Sequence, residues 1–211
     1  MISKTLSWTQ ENSIPRLLNA FSQNYLVVGT SDTVAGFLAP LNQTGFNALN
    51  MIKGRQEKPY LILIGNVSAV AALAENYSLQ VEKLVSCWPG PLTLILRAKK
   101  AVPDYMKSKE GTIALRMPNH AGLLALLQEL PGLFSTSANK AGQPVPTSID
   151  AIDPDILNNL DLVVNDGEQG GPISTVPSTI LDCTGDVVKL VREGAYSLER
   201  LEKETGIAIQ K

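Results

Sequence analysis

The hydrophobic pattern changes from helical to strand-like spacing near the start of the chain. Apolar residues between positions 14 and 21 repeat with the period of a helix, directly after the polar pair Asn12 and Ser13. The run YLVVGT that follows (25–30) is short and rich in β-branched residues, which predicts a strand. Helices and strands alternate in this way along the chain, and this alternation indicates an α/β protein.

Further segments fit the same alternation. The run YLILIG (60–65) is apolar on both faces, which is typical of a central strand. VSAVAALAE (67–75) reads as a helix with an Ala-rich buried stripe, and AGLLALLQEL (121–130) is the clearest amphipathic helix. The other predicted elements are a helix over 44–53, strands at LTLILRA, TIALRM, LDLVVND, STILDC and VVKLV, and a closing helix over about 198–204. We expect a twisted mixed sheet with helices around a concave pocket.

The composition fits one sizeable core and a slightly acidic surface. The 211 residues are 44% hydrophobic, so we expect a single domain over 1–211. A net charge of −2 argues against a broad basic surface, and tight binding of RNA by this chain alone is not expected. The N-terminal segment has no apolar signal-peptide core and no run approaches membrane-spanning length, so we expect no membrane association and a cytoplasmic location.

The two cysteines do not indicate a zinc site, and the single histidine does not favour a general base. Cys87 and Cys183 are far apart and lack the spacing of a zinc site, so two reduced, partly buried thiols are the simplest interpretation. His120 follows MPN at the start of a predicted helix, where a surface or helix-cap position is favoured over a general base.

The most informative stretch is LFSTSANKAGQPVPTS, residues 133–148. Its apolar start predicts a strand that ends in a turn crowded with polar groups, among them Ser137 and Asn139. Hydroxyl, amide and backbone N–H groups in such a turn can bind phosphate or carboxylate oxygens, and Gly142 lets the backbone pass close to a ligand. A polar turn without a ligand is the alternative for this stretch taken alone. The glycine-rich segment GEQGGPIS (167–174) lacks a P-loop or dinucleotide pattern and predicts a loop near the site.

A second candidate is the pair of cations Lys53 and Arg55, which flank Gly54 ahead of a predicted strand. Taken alone, two such cations are most often solvated surface. Combined with an anion-binding turn elsewhere in the chain, they become candidates for binding triphosphate or carboxylate groups.

With these residues in view, the chain resembles the YrdC-like threonylcarbamoyl-AMP synthases, in their short, single-domain bacterial form, over nearly its whole length. Seven blocks occur in the order of that family: SDTVAGF (31–37), KGRQEKPYLILI (53–64), WPGPLTLIL (88–96), TIALRMPNH (112–120), STSANKAGQP (135–144), PSTILD (177–182) and VREGA (191–195). The KxR and SxN elements form the family's nucleotide-site signature, which falls here on Lys53, Arg55, Ser137 and Asn139. Longer relatives carry a second C-terminal domain, which we do not expect in this chain.

The resemblance implies a YrdC-like fold and an L-threonylcarbamoyladenylate synthase. This nucleotidyltransferase would join L-threonine, bicarbonate and ATP, with Mg²⁺ accompanying the ATP, into threonylcarbamoyl-AMP and pyrophosphate. The product would serve the t6A modification of tRNA at position 37, so transferase subunits and tRNA are indirect partners. The chemistry brings two anions together, for which fixed cations and N–H dipoles are suited, and we predict no catalytic triad.

The resemblance also implies roles for individual residues, with no metal ligand among them. Lys53 and Arg55 would be catalytic and would bind ATP, the other ATP-binding residues would be Ser137, Asn139 and Arg192, and the threonine-binding residues would be Ser31, Arg116 and Ser178. Alternatives remain for three of these. Arg116 and Arg192 can be ordinary strand-end charges, and Ser178 can simply suit the exposed face of a strand, as can Thr179.

The first block departs from the family's usual Pro-Thr-Asp-Thr-Val-Tyr-Gly-Leu. Thr30 stands at the Pro, Ser31 at the first Thr and Ala35 at the Tyr, and Gln56 replaces a Pro that commonly follows the KxR element. Ala35 lacks the ring that an aromatic residue would give to a substrate pocket. These departures keep open a YciO-type paralogue with a different substrate. A noncatalytic RNA-binding or regulatory module is an alternative from another class, and the acidic composition and the four signature residues count against it.

Overall fold

One mixed sheet organises the chain in a computed structural model that describes residues 5–54, 59–140, 142–158, 160–166 and 174–211. The strands within these ranges are β1 (Thr5–Ser7), β2 (Val27–Gly29), β3 (Gly36–Pro40), β4 (Leu61–Leu63), β5 (Leu92–Arg97), β6 (Thr112–Arg116), β7 (Leu133–Ser137), β8 (Leu162–Asn165), β9 (Thr179–Asp182) and β10 (Lys189–Arg192). They lie side by side in the order β1-β8-β2-β3-β7-β4-β6-β5-β9-β10. The central position predicted for YLILIG is confirmed, because β4 lies between β7 and β6 well inside the sheet.

The described helices cover both faces of this sheet. They are α1 (Ser13–Ser22), α2 (Gln43–Lys53), α3 (Ser68–Leu73), α4 (Leu79–Val85), α5 (Ala121–Gln128), α6 (Pro154–Asn158) and α7 (Leu198–Thr205), with a short 3-10 turn at Asp104–Met106. The predicted helices and strands are confirmed, although α3 is shorter than expected. It ends at Leu73 because Ala74 turns to an extended conformation and forms a bridge with Ala98. The elements β1, β3, α4 and α6 were not predicted.

The sheet separates two hydrophobic clusters. Phe37 and Ile62 point into the larger cluster, whereas their neighbours Leu38 and Leu63 point into a smaller cluster beneath α1 and α5. Successive side chains of a strand alternate between the two faces of a sheet, which explains this division. Both faces of the central strands are therefore buried, as the unbroken apolar run in YLILIG predicts.

No helix in the described part of the chain could cross a membrane.

Candidate functional site

A cavity of about 980 Å³ lies on the face of the sheet that carries α1 and α5. Alternate residues of neighbouring strands form its floor: Gly36 and Leu38, Ser135 and Ser137, Leu61 and Leu63, Ala114 and Arg116, and Thr93 and Ile95. The middle of this floor is apolar, and the polar side chains gather toward its ends. This is the concave pocket expected from the sequence.

The strand register sets the two polar ends apart. Ser135 and Ala114 both pair with Leu61, one on each side of β4. Because β7 is antiparallel and β6 parallel to β4, Ser137 lies two residues beyond this row in one direction and Arg116 two residues beyond it in the other. At about 3.3 Å per residue, the two positions are separated by roughly 13 Å along the strands. The floor is thus long enough for a ligand with two anionic groups.

Lys53 occupies one end of the cavity as the last residue of α2. The helix begins at Asn42, whose side chain accepts the N–H of Gly45, and ends at Gly54 in the left-handed conformation (φ 58°). The ammonium group of Lys53 donates to the carbonyl oxygens of Ser137 (3.0 Å) and Asn139 (2.6 Å) and to the Asn139 side-chain oxygen (3.0 Å). The Lys53 side chain is buried, so its charge lies inside the cavity wall.

The turn after β7 is held by its own polar side chains as well. The Ser137 hydroxyl donates to Oδ1 of Asn139 at 2.6 Å, and the Asn139 amide donates to the carbonyl of Gln143. Gly142 lines the cavity with a positive φ of 79°, a conformation that favours glycine. The structure therefore brings Lys53, Ser137 and Asn139 into one cluster. Arg55, and residues 167–173 of the predicted loop, lie outside the described residues.

Arg116 occupies the opposite end of the cavity floor, almost completely buried. Its guanidinium donates to Oδ1 of Asp32 at 2.5 Å, to the hydroxyl of Thr33 at 2.8 Å and to the carbonyl of Gly90 at 3.1 Å. Burial lowers the pKa of Arg116, and the carboxylate of Asp32 opposes that change. Arg116 is thus a buried ion-pair member, not an ordinary strand-end charge.

Ser31 lies in the loop between β2 and β3 and also lines the cavity. Its hydroxyl donates to the carbonyl of Val34 at 3.0 Å and accepts the N–H of Thr33 at 3.1 Å. These local bonds fix the shape of the loop that carries Asp32.

Ser178 and Arg192 form a third polar group beside Arg116. Arg192 donates through Nε and Nη2 to the carbonyl of Ser178, at 3.1 and 2.8 Å, and the Ser178 hydroxyl lies 2.8 Å from that of Thr93. Partial burial lowers the pKa of Arg192, and the nearby charge of Arg116 lowers it further. Ser178 and Thr179 are buried, at 4% and 0% exposure, so the alternative that they suit an exposed strand face is wrong.

Three polar residues of this region were not predicted as part of the site. Asp32 and Thr33 hold Arg116, and Thr93 binds the hydroxyl of Ser178. The signal for Thr93 was a lone hydroxyl in the apolar run LTLIL, where a buried polar group needs a partner. Asp32 lies in the block SDTVAGF, but no local pattern pairs it with Arg116, which is distant in the chain.

Three other expectations concern His120, the two cysteines and Ala35. His120 is the N-cap of α5, since its Nδ1 accepts the N–H of Leu123 at 3.1 Å, which confirms the cap position. The thiols of Cys87 and Cys183 are free, as predicted. Ala35 is completely buried in the larger cluster with Phe37 and does not line the cavity, so the cavity wall does not depend on its side chain.

The electrostatic character of the cavity follows from these residues. Lys53, Arg116 and Arg192 bring three cations to its lining, and the carboxylate of Asp32 is bonded to Arg116. Among the described residues no cluster of three or more His, Cys, Asp or Glu side chains is placed to hold a metal ion. A long cavity with cations toward both ends suits an anionic ligand of nucleotide size.

Fold and site together define a mixed α/β protein with a cation-lined cavity across its central strands. The family model Sua5_yciO_yrdC, described as "Telomere recombination", matches residues 19–194. The chain therefore belongs to the Sua5/YciO/YrdC family, and the expected YrdC-like fold is confirmed.

Two relatives show the extent of the similarity in sequence. Threonylcarbamoyl-AMP synthase of Pyrococcus abyssi is 33% identical over 86% of this chain and 54% of its own length. The enzyme of the same name from Bacillus subtilis is 31% identical over 94% of this chain and 58% of its own length. The chain thus spans little more than half the length of these two relatives.

Solved structures show the same fold. Sua5 of P. abyssi in complex with L-threonine superposes with a TM-score of 0.85 at 30% identity, over 98% of this chain and 62% of that one. YciO of Escherichia coli has a TM-score of 0.81 over 93% of this chain and 97% of that one, but at 20% identity it supports the fold alone.

Proposed function

We propose that this protein is a nucleotidyltransferase that makes L-threonylcarbamoyladenylate and pyrophosphate from L-threonine, bicarbonate and ATP. The observation that carries the proposal is the cavity with Lys53, Ser137 and Asn139 at one end and Arg116, Ser178 and Arg192 toward the other. The names of the relatives support it, as does the structure of P. abyssi Sua5 with L-threonine.

The two polar ends suggest where each substrate binds. The triphosphate would lie against the Lys53 cluster, with Arg55 included from the sequence resemblance, and another part of the nucleotide would reach Arg192 toward the other end of the cavity. The amino acid would lie near Ser31, Arg116 and Ser178, which line the same cavity, and of which Arg116 and Ser178 are buried. Two anionic substrates would then meet above the apolar floor, with their repulsion reduced by the surrounding cations.

The chemistry needs positioning more than a strong protein nucleophile. The amine of threonine and bicarbonate give a carbamate with loss of water. A carbamate oxygen then attacks the α-phosphorus of ATP, the bond to the β-phosphate oxygen breaks, and pyrophosphate leaves with that electron pair. Lys53 and Arg55 would neutralise the phosphate charge, while the Ser137–Asn139 turn would orient it.

The remaining components follow from the substrates. Mg²⁺ would enter as MgATP, held mainly by phosphate oxygens and water, as is usual for this ion. The product would pass to the transferase subunits that modify tRNA, and a cytoplasmic, single-domain protein over residues 1–211 would suit this role.

Pyrophosphate release tests the proposal. The purified protein is incubated with ATP, Mg²⁺ and bicarbonate, and with L-threonine, L-serine or no amino acid. We expect release that depends on L-threonine, together with a threonylcarbamoyl-adenylate detectable by mass spectrometry. Lys53→Met should abolish it, because both the buried charge and the hydrogen bonds to the turn are lost.

Lys99→Met is the matched control, since Lys99 also donates to a carbonyl, that of Ala71, away from the cavity. It should behave like the wild type. Folded protein that binds ATP but releases no pyrophosphate with threonine would sink the proposal and favour a paralogue with another substrate.

A further inference from the structure

Asp32 joins two segments that meet at the amino-acid end of the cavity. One carboxylate oxygen accepts from Nη2 of Arg116 at 2.5 Å, and the other accepts the backbone N–H of Asn119 at 3.0 Å. Asp32 belongs to the loop after β2, Arg116 ends β6, and Asn119 precedes α5. A single carboxylate therefore fixes the guanidinium and the segment that follows it.

The ion pair is largely shielded from water. The side chain of Arg116 is 5% exposed and that of Asp32 is 12% exposed. Breaking such a pair leaves one buried charge without compensation, so the arrangement has a strong preference for one geometry. Both terminal nitrogens and Nε of Arg116 donate charge-assisted hydrogen bonds, which hold the guanidinium plane against rotation.

The same bonds determine what Arg116 can offer to a ligand. Each terminal nitrogen carries two hydrogens, and the contacts with Asp32 and Thr33 use one on each. The second hydrogen on each remains for a ligand, and Arg116 lines the cavity. Because Asp32 compensates its charge, Arg116 contributes fixed directions for hydrogen bonds more than net charge.

We propose that Asp32 is a positioning residue of the amino-acid subsite, which orients the free N–H groups of Arg116 toward the substrate carboxylate. This inference rests on the proposed function, because it takes the amino acid as the ligand at this end. Asp32 itself does not touch substrate and acts through Arg116. Removal of its charge should weaken amino-acid binding even though the cavity becomes more positive.

Calorimetric titration of L-threonine and, separately, of a nonhydrolysable ATP analogue tests the proposal. Asp32→Asn keeps the size but has one acceptor oxygen, so it cannot serve both Arg116 and Asn119. We expect its Kd for L-threonine to rise about tenfold, since one charge-assisted hydrogen bond is lost, with the Kd for the analogue within about twofold. Asp32→Glu keeps two acceptor oxygens and should lie closer to the wild type.

Asp161→Asn is the control, because Asp161 accepts the N–H of Leu26 outside the cavity. Its affinity for both ligands should be unchanged. If Asp32→Asn bound L-threonine as tightly as the wild type or more tightly, this inference would be overturned but the proposed function would stand. The effect of Asp32 would then be limited to compensating the charge of Arg116. Equal weakening of both ligands would also overturn it, in favour of a general structural role. Failure of the wild type to bind L-threonine would overturn the proposed function and this inference with it.

Discussion

Lys53 and Asn139 are 86 positions apart in the chain, yet the Lys53 ammonium donates to both carbonyl oxygens of Asn139, at 2.6 Å to the backbone and 3.0 Å to the side chain. The end of α2 is thereby joined to the turn after β7. Because the ammonium group is buried and also bonded to Ser137, it fixes the backbone of the turn that lines the cavity. Two weak sequence motifs thus become one structural unit.

The first prediction concerns the stability that this unit provides. Lys53→Met fills a similar volume but leaves the acceptor oxygens of Ser137 and Asn139 without their charged donor. We expect the free energy of unfolding to fall by about 3 kcal/mol, as measured by urea denaturation. Lys99→Met, which loses a bond near the surface, should change stability by less than about 1 kcal/mol. A similar stability for both variants would contradict the role assigned to Lys53.

The second prediction concerns Gly194 in the block VREGA. A Cβ at this position would lie 2.2 Å from the carbonyl oxygen of Pro177 and 2.6 Å from the carbonyl carbon of Ser178. Gly194→Ala must therefore displace the backbone that Arg192 holds. We expect unfolding to become easier by about 2 kcal/mol. We also expect threonine-dependent pyrophosphate release to fall about tenfold, because the cavity wall shifts.

Gly185→Ala provides the comparison for Gly194→Ala, because a Cβ at Gly185 meets nothing within 4 Å. It should leave both stability and pyrophosphate release unchanged. If Gly194→Ala behaved in the same way, the backbone of Ser178 would not be held as tightly as the contacts indicate.

The fold was largely predictable because periodicity and burial agree along most of the chain. The run YLILIG is apolar at every position and lies inside the sheet, and α1 begins at Ser13 as the polar-to-apolar change predicts. The misses have physical reasons. Strand β1 is three residues long and is formed by pairing with β8, a partner that no local pattern indicates. Tertiary contacts decide such short elements.

Part of the candidate site was likewise predictable from the sequence, and part was not. Polar residues in short blocks drew attention to Ser137, Asn139 and Lys53, which the structure brings together. Their bonding to one another was not predictable, because it depends on how β7 and α2 meet. Asp32 and Thr33 were overlooked for the same reason, since their partner Arg116 belongs to another strand.

The third prediction concerns the cap of α5. His120 accepts the N–H of Leu123 through Nδ1, while Nε2 lies 2.9 Å from Asp166. His120→Ala removes the cap and should lower the free energy of unfolding by about 1 kcal/mol. His120→Asn supplies another capping side chain and should recover most of this loss in urea denaturation. Equal losses for Ala and Asn would show that the contact with Asp166 matters more than the cap.

The last prediction concerns stability at alkaline pH. Burial raises the pKa of the Cys183 thiol from its ordinary 9.0 to about 12, and the charge of Asp182 adds to this effect. In the unfolded chain the thiol loses its proton at lower pH, so between pH 9 and about 12 the folded state binds more protons. The stabilising contribution is complete below pH 9 and declines as the pH rises toward 12, with a slope of up to about 1.4 kcal/mol per pH unit.

Urea denaturation at several pH values between 8 and 11 measures this decline. Cys183→Ala removes the titrating thiol, so its stability should fall less steeply with pH than that of the wild type. Cys87 is half-buried, and burial also raises the pKa of its thiol, so Cys87→Ala should change the slope less than Cys183→Ala. Parallel curves of stability against pH for the wild type and Cys183→Ala would mean that the Cys183 thiol has the same pKa in the folded and unfolded chains. This would contradict the prediction, because burial should raise the pKa in the folded chain.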